Sequence, residues 1–339
     1  MSLPDRNKAC AAFADALRAA RRVLVATHIN PDGDAVGSAA AVAHLALHAG
    51  AEAKLLFMAG LPDFLSWLPL PAPVVRGIAD LGDWAPDLLV LCDCGDTGRA
   101  GPELGPLLDG AARPAGWEGM ATANIDHHVS NKGYADVNWV EPRAAATGEL
   151  AAALAGHMGV ALKGPLGEAV YLTLASDTGN FTYSNTSAQS LAIAASIVDQ
   201  GLDIAAFTDN YENTWSLDRM HLWGRLFSEI TLHAGGAVAC GVARRSWLDE
   251  RGLGNDALEG FASWLRRIKG VRVGVFVRED APGLCKISLR SMGDFDVQAV
   301  CALYGGGGHA AAAGAELAMA LDEAAALVVG EIERRMARE

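Results

Sequence analysis

Residues 22–38 read R-V-L-V-A-T-H-I-N-P-D-G-D-A-V-G-S. The stretch opens on a short apolar, β-branched run bounded by polar residues, the pattern of a buried strand near 22–27. Pro31 and Gly33 then supply turn chemistry, one rigid and one permissive. A helical pattern follows and runs through about His48. Strand, turn and helix in immediate succession begin a βαβ unit, and its turn carries His28, Asp32 and Asp34.

The alternation continues on both sides. Residues 5–20 place Ala9, Phe13, Ala16 and Leu17 on one helical stripe; 53–58, 87–92 and 121–125 read as strands, and 145–157, 166–176 and 187–200 as helices. Such alternation predicts a parallel sheet covered on both faces. The second half has another texture. Residues 208–227 are aromatic and polar and predict a connecting helical segment. Strand patterns follow at 230–233, 237–242, 271–278 and 285–291, with helical ones near 258–268, 297–304 and 321–338. The expected architecture is therefore α/β: an N-terminal parallel-sheet domain (1–190), a helical connector (191–228) and a smaller α/β C-terminal domain (229–339).

Length and composition agree with two domains. The chain has 339 residues and 51% hydrophobic content, ample for two cores. The mean hydropathy of +0.18 comes largely from alanine, and no uncharged apolar run approaches the roughly 20 residues of a spanning helix. The mixed-charge start M-S-L-P-D-R-N-K does not read as a signal peptide, and the six scattered cysteines suit reduced thiols. A cytoplasmic protein without membrane association is expected. The net charge of −13 argues against coating long nucleic acid through phosphate contacts, although bound cations reverse the local sign of a field. Residues 261–300 run the other way, with seven basic and four acidic side chains, which makes them a place to look for an anion site.

The acidic and imidazole groups fall where strands end. His28, Asp32 and Asp34 follow the first strand, Asp93 follows 87–92, Asp126, His127 and His128 follow 121–125, and Asp177 ends a helical run. The C-terminal ends of parallel strands share one edge, where ligand crevices open, so the clusters converge. Each alone has a plain explanation, since an aspartate after a strand is often a helix cap. Together, carboxylates with two or three imidazoles and no thiolate suit Mn(II) or Mg(II). Six candidate ligands exceed one tetrahedral ion and point to a two-metal centre, an arrangement that supplies hydroxide for in-line attack on phosphorus. Cys92 and Cys94, alternate positions on one strand, would face the same way as a two-thiol pair, but no second Cys/His pair completes a site. His44 and His48 lack an H-E-x-x-H context.

Near the C-terminus, Y-G-G-G-G-H-A-A-A-A-G places Gly305–Gly308 before His309. Glycines let backbone N–H groups approach an anion. The preceding residues read as helix, so this is no dinucleotide fingerprint, and no P-loop is present. Ser288 and Arg290 alternate on a strand and share a face, which makes Arg290 a candidate phosphate clamp.

The stretches H-I-N-P-D-G-D-A-V-G-S, L-C-D-C-G-D, N-I-D-H-H-V-S-N, S-D-T-G-N-F-T-Y-S-N-T-S and G-G-G-G-H-A-A-A-A-G resemble, in order and spacing, the DHH phosphoesterase family. The resemblance is closest to its branch with a DHH-associated C-terminal domain, of the bacterial nanoRNase and pAp phosphatase type. It implies one ion on His28, Asp32, Asp93 and Asp177, and another on Asp34, Asp93, His127 and Asp177. Asp93 and Asp177 would bridge, Asp126 would orient its neighbouring histidine, and His128 would stand by the scissile phosphate. Ser288, Arg290, Gly306, Gly307, Gly308 and His309 would bind substrate. In the family polar residues or proline commonly follow that histidine, whereas Ala310 and Ala311 follow here. The implied activity is hydrolysis of very short RNA oligonucleotides, linear dinucleotides and 3′-phosphoadenosine 5′-phosphate (pAp), with two divalent cations, Mn(II) first and Mg(II) second. A second-messenger phosphodiesterase for cyclic or linear dinucleotides, a non-catalytic nucleotide-binding regulator and a pyrophosphatase remain alternatives. A homodimer is compatible with the sequence, but nothing in it argues for one.

Overall fold

The computed structural model describes residues 3–338, and the chain divides between Thr214 and Trp215 into two compact units. In the first, α1 (Leu3–Ala19) leads into β1 (Arg22–Ala26), α2 (Gly33–His48), β2 (Glu52–Leu56), β3 (Val74–Val75) and β4 (Leu88–Cys92). Then come α3 (Gly101–Leu108), β5 (Ala121–Asp126), β6 (Val137–Val140), α4 (Thr147–His157), α5 (Gly164–Thr178), α6 (Ala188–Asp199) and α7 (Ile204–Tyr211). Six strands pair in the order β3-β2-β1-β4-β5-β6, all parallel. Every residue of β4 is buried, as is all of β1 after Arg22. This is the burial expected of strands covered on both faces.

The strand order reverses between β1 and β4. The chain winds outward from β1 through β2 to β3, then returns to lay β4 on the other side of β1. Loops leaving adjacent strands in opposite directions open a crevice at the C-terminal edge. His28 leaves β1 and Asp93 leaves β4 at that edge.

The second unit contains α8 (Leu217–Ser228), β7 (Thr231–His233), β8 (Val238–Ala243), α9 (Arg245–Asp249), α10 (Phe261–Leu265), β9 (Val273–Ala281) and β10 (Leu284–Ser291). It closes with α11 (Gln298–Cys301), β11 (Gly307–His309), β12 (Ala312–Leu317) and α12 (Leu321–Met336). Its sheet runs β11-β12-β10-β9-β8-β7. Only β8 and β9 pair in parallel among these strands; the rest are antiparallel. One face packs on α12 through Val328 and Ile332, the other on α8 and α10 through Leu226 and Phe261.

Some elements differ from the sequence expectation. The aromatic segment 208–227 is broken, since α7 ends at Tyr211 and α8 starts at Leu217 with Ser216 as its cap. The glycine stretch is half strand: Gly307–His309 pair with Ala312–Gly314. A Cβ on Gly306 or Gly308 would lie 2.2 or 2.4 Å from a carbonyl oxygen of β12, so both are small because the backbones nearly touch. Cys92 and Cys94 do not form a pair. Cys92 joins the core that holds Val90 and Ile125, Cys94 the separate core that holds Leu89 and Leu91. Asp93 between them adopts φ of +53°, which ends the strand alternation. No single helix among the described residues is long and apolar enough to cross a membrane.

The packing that presents β1 and α2 depends on α5. At Gly37 in α2 an added Cβ would meet the Ala169 carbonyl oxygen at 2.6 Å and Thr173 Cγ2 at 2.7 Å. One contact is backbone, so helices would have to separate. Overpacking of this kind costs about 1–3 kcal/mol. Gly37→Ala should therefore lower the melting temperature by several degrees in differential scanning calorimetry, at roughly 2–4 °C per kcal/mol for a chain this size.

Candidate metal centre

The centre forms because four segments end at one place. His28 sits after β1, and Asp32 is the N-cap of α2, accepting from the Ala35 N–H at 3.1 Å. Asp34 lies in the first turn of α2 with no exposure. It receives the Thr147 and Gly148 N–H groups at 2.8 and 3.3 Å, so it also caps α4. A carboxylate is well placed at such a helix N-terminus. Asp93 leaves β4 with its own N–H on the Ile125 carbonyl at 3.0 Å, and Thr147 Oγ1 donates to its Oδ1 at 3.1 Å. A positive φ is uncommon for a non-glycine residue, and here it aims the carboxylate into the cluster. Asp177 comes from the last turn of α5.

The donor atoms assemble into two overlapping groups. In the first, His28, Asp32 and Asp93 bring one ligand atom each within 4.8 Å of one another; in the second, Asp34, Asp93 and His127 do the same. Asp93 is common to both. His127 Nε2 lies 3.6 Å from Asp34 Oδ2, 3.6 Å from Asp93 Oδ1 and 3.1 Å from Asp177 Oδ2. His28 Nε2 stands 3.6 Å from Asp93 Oδ2. His28 Nε2 is buried and, among the described residues, has no hydrogen-bond partner. A buried polar nitrogen is ordinarily satisfied, and a cation supplies what the protein does not. The oxygen and imidazole donors also match a hard divalent ion. The residues therefore fit the metal.

Both histidines of the D-H-H run are held by their other ring nitrogen. His127 Nδ1 lies 3.2 Å from the Ala144 carbonyl oxygen, which directs Nε2 as a lone pair toward the carboxylates. His128 Nδ1 lies 2.7 Å from Asp126 Oδ1. The histidine that Asp126 orients is thus His128, and the adjacent His127 takes its orientation from Ala144. Asp126 is itself fixed by Asn131 Nδ2 at 2.6 Å. Asn131, Asn124 and Tyr134 form a half-buried network on the Cys94 carbonyl, to which Tyr134 Oη donates at 2.7 Å. On the far side of His128, Arg99 Nη1 stands 3.1 Å from Nε2. A guanidinium only donates, so this nitrogen accepts and the ring proton is on Nδ1.

Without cations the carboxylates and imidazoles share protons. Burial, and then Asp93 and Asp177 beside it, push the Asp34 carboxyl well above the usual range. Burial with Asp32 and Asp93 raises Asp177 as well. Burial works against ionised Asp93, yet the surrounding histidines outweigh it and hold this carboxyl low. Burial likewise opposes charging of His127 and His128, but the carboxylates facing them win and raise both.

In the second unit, Ser288 and Arg290 lie on the half-exposed face of β10, opposite its buried Ile287 and Leu289. The register sets Arg290 beside Ala312, and Ala312 beside His309; Ser288, Gly314 and Gly307 align in the same way. Ala310 and Ala311 turn the hairpin, and their carbonyls accept from the Val297 and Ser291 N–H groups at 2.8 and 2.9 Å. The sequence-derived residues thus form one cluster in each unit. Thr147, Asn124, Asn131, Tyr134 and Arg99 were not anticipated. Asn131 and Arg99 follow closely on the D-H-H and L-C-D-C-G-D runs, which is the one signal that could have found them.

Residues 22–174 match the DHH family N-terminal domain, and residues 235–334 match the DHHA1 domain. The chain belongs to the DHH family. Among DHH proteins, it is 29% identical over 317 residues to the bifunctional oligoribonuclease and PAP phosphatase NrnA of Thermus thermophilus, covering 93% of this chain and 90% of that protein. The protein of the same name from Bacillus subtilis is 26% identical over 300 residues, covering 87% and 89%. An exopolyphosphatase-related protein from Bacteroides fragilis shares the fold, with a TM-score of 0.85 at 24% identity over 97% of this chain and 96% of that one.

Two outcomes follow for metal binding. Titration calorimetry should find two Mn(II) equivalents, with His28→Ala losing one and Asp93→Ala weakening both. Because Asp34, Asp177 and His127 hold protons to higher pH than usual, loading must expel them. The measured enthalpy should therefore vary with the ionisation enthalpy of the buffer, and affinity should fall as pH is lowered.

Proposed function

We propose that this chain is a divalent-metal phosphoesterase that hydrolyses very short RNA oligonucleotides and linear dinucleotides to mononucleotides, and pAp to AMP. The observation that carries this reading is Asp93, buried, with one carboxylate oxygen facing His28 in one candidate ligand group and the other facing His127 in a second. That geometry suits two ions close together, the arrangement used for phosphoester hydrolysis. The substrate class rests on the relatives named oligoribonuclease and PAP phosphatase, which align along nine-tenths of this chain and of their own length in the Thermus thermophilus case.

One ion would be held by His28, Asp32, Asp93 and Asp177, the other by Asp34, Asp93, His127 and Asp177. When bound, the cations supply Lewis acidity at the phosphoryl oxygens and a hydroxide nucleophile at neutral pH. The protein does the rest. Thr147 and the N-terminus of α4 fix Asp93 and Asp34, so the ligands need no reorganisation on loading. His128, oriented by Asp126 through Nδ1, presents Nε2 to the reacting phosphate and, in the doubly protonated form that the neighbouring carboxylates favour, donates from it. Burial of Asp34, Asp93 and His127 removes competing water and strengthens each charge interaction. Arg290, Ser288 and His309, with the glycines 306–308, would bind the far end of the substrate. Mn(II) is the proposed physiological ion, and Mg(II) the second choice. Six buried cysteines without a disulfide suit a reducing cytoplasm.

A substrate panel with added Mn(II), resolved by product length, tests the proposal. Turnover of pAp and of the dinucleotide pApA should exceed that of cyclic di-AMP and of inorganic pyrophosphate. Rapid hydrolysis of pyrophosphate with none of pApA would overturn it. Arg290→Ala should raise KM more than it lowers kcat, because a contact to the unreacted end is made equally in ground and transition states.

A further inference from the structure

Arg99 has a position that the ligand set does not explain. It lies in a single 3-10 turn, Gly98–Ala100, a few residues beyond Asp93. Its backbone is fixed at both ends: the N–H donates to Asp96 Oδ1 at 3.0 Å, and the carbonyl accepts from the Ile29 N–H at 2.9 Å. The second of these ties the turn to the loop that carries His28. Its side chain is half-buried, and among the described residues it makes no ion pair. Instead it extends to His128 and gives Nη1 to Nε2 at 3.1 Å. A half-buried arginine is ordinarily kept for a carboxylate or a phosphate, and here no carboxylate takes it.

We propose that Arg99 is a catalytic residue that binds the oxygens of the reacting phosphate beside His128. The inference rests on the phosphoesterase reading above. Charge arithmetic supports it. Asp32, Asp34, Asp93 and Asp177 carry four negative charges when ionised, and two divalent ions carry four positive ones, so the loaded centre is near neutral. A phosphate anion then needs a further cation, and Arg99 is the arginine that reaches His128. The guanidinium presents five donors in a planar fork that matches phosphate, of which the contact to His128 uses one. With substrate bound, the fork takes phosphate oxygens and frees His128 Nε2 to carry a proton and donate it to the leaving oxygen. With no substrate, the same contact keeps the imidazole in the tautomer that Asp126 requires.

The test reads phosphate binding and turnover separately. Inorganic phosphate is titrated into the Mn(II)-loaded chain, wild type, Arg99→Ala and Arg99→Lys, with Mn(II) affinity and melting temperature measured on each. Arg99→Ala should weaken phosphate at least tenfold and lower kcat/KM for pAp by about a hundredfold. Arg99→Lys should fall between, and Mn(II) affinity should stay within twofold. Unchanged phosphate binding in Arg99→Ala overturns the proposal. So does a parallel loss of Mn(II) affinity, which would make Arg99 a support for the His28 loop. If phosphate binding depends on Arg99 but no nucleotide is hydrolysed, the phosphate site stands and the proposed activity falls.

Discussion

One buried carboxylate organises the first unit. Asp93 leaves the innermost strand of a parallel sheet beside the point where the strand order reverses, and almost no water reaches it. A charge so placed is costly unless other groups compensate. Everything around it can be understood as that compensation. His28 and His127 face its two oxygens, Thr147 donates to one of them, and the Tyr134 network grips the next carbonyl of the chain. The unusual backbone angle is held because hydrogen bonds on both sides of the residue leave it no alternative.

Much of this was legible in the amino-acid order. Parallel strands buried on both faces are continuous apolar runs, so 22–27 and 87–92 stood out, and the shared edge of such a sheet placed the ligand clusters together. What could not be seen has physical reasons. β3 is two residues long and β6 has only four, too short for periodicity to register. Strand alternation put Cys92 and Cys94 on one side, because nothing in L-C-D-C announces a left-handed aspartate. Asp126 was read as orienting its neighbouring histidine, whereas its carboxylate bonds to His128, two positions away. Glycines 306 and 308, read as anion-binding, are required by the close approach of two strands.

The excess acid of the chain has two different origins. Part is ordinary surface charge. Another part is gathered at the sheet edge, where burial and then repulsion between carboxylates raise Asp34 and Asp177, and the histidines answer by holding protons. A net charge of −13 therefore overstates how repellent the protein is to a phosphate, because the acids nearest the chemistry are the ones cations would neutralise.

Asp32 and Asp34 each serve twice. One begins α2 and the other closes the N-terminus of α4. His28 caps no helix; its Nε2 faces Asp93 at 3.6 Å and, among the described residues, has no hydrogen-bond partner. These residues are therefore under unequal constraint. A descendant that gave up catalysis would keep both aspartates for the sake of its helices, while position 28 would be free to drift. In comparing divergent chains of this fold, the histidine after the first strand is a better gauge of surviving chemistry than the acidic pair that follows it.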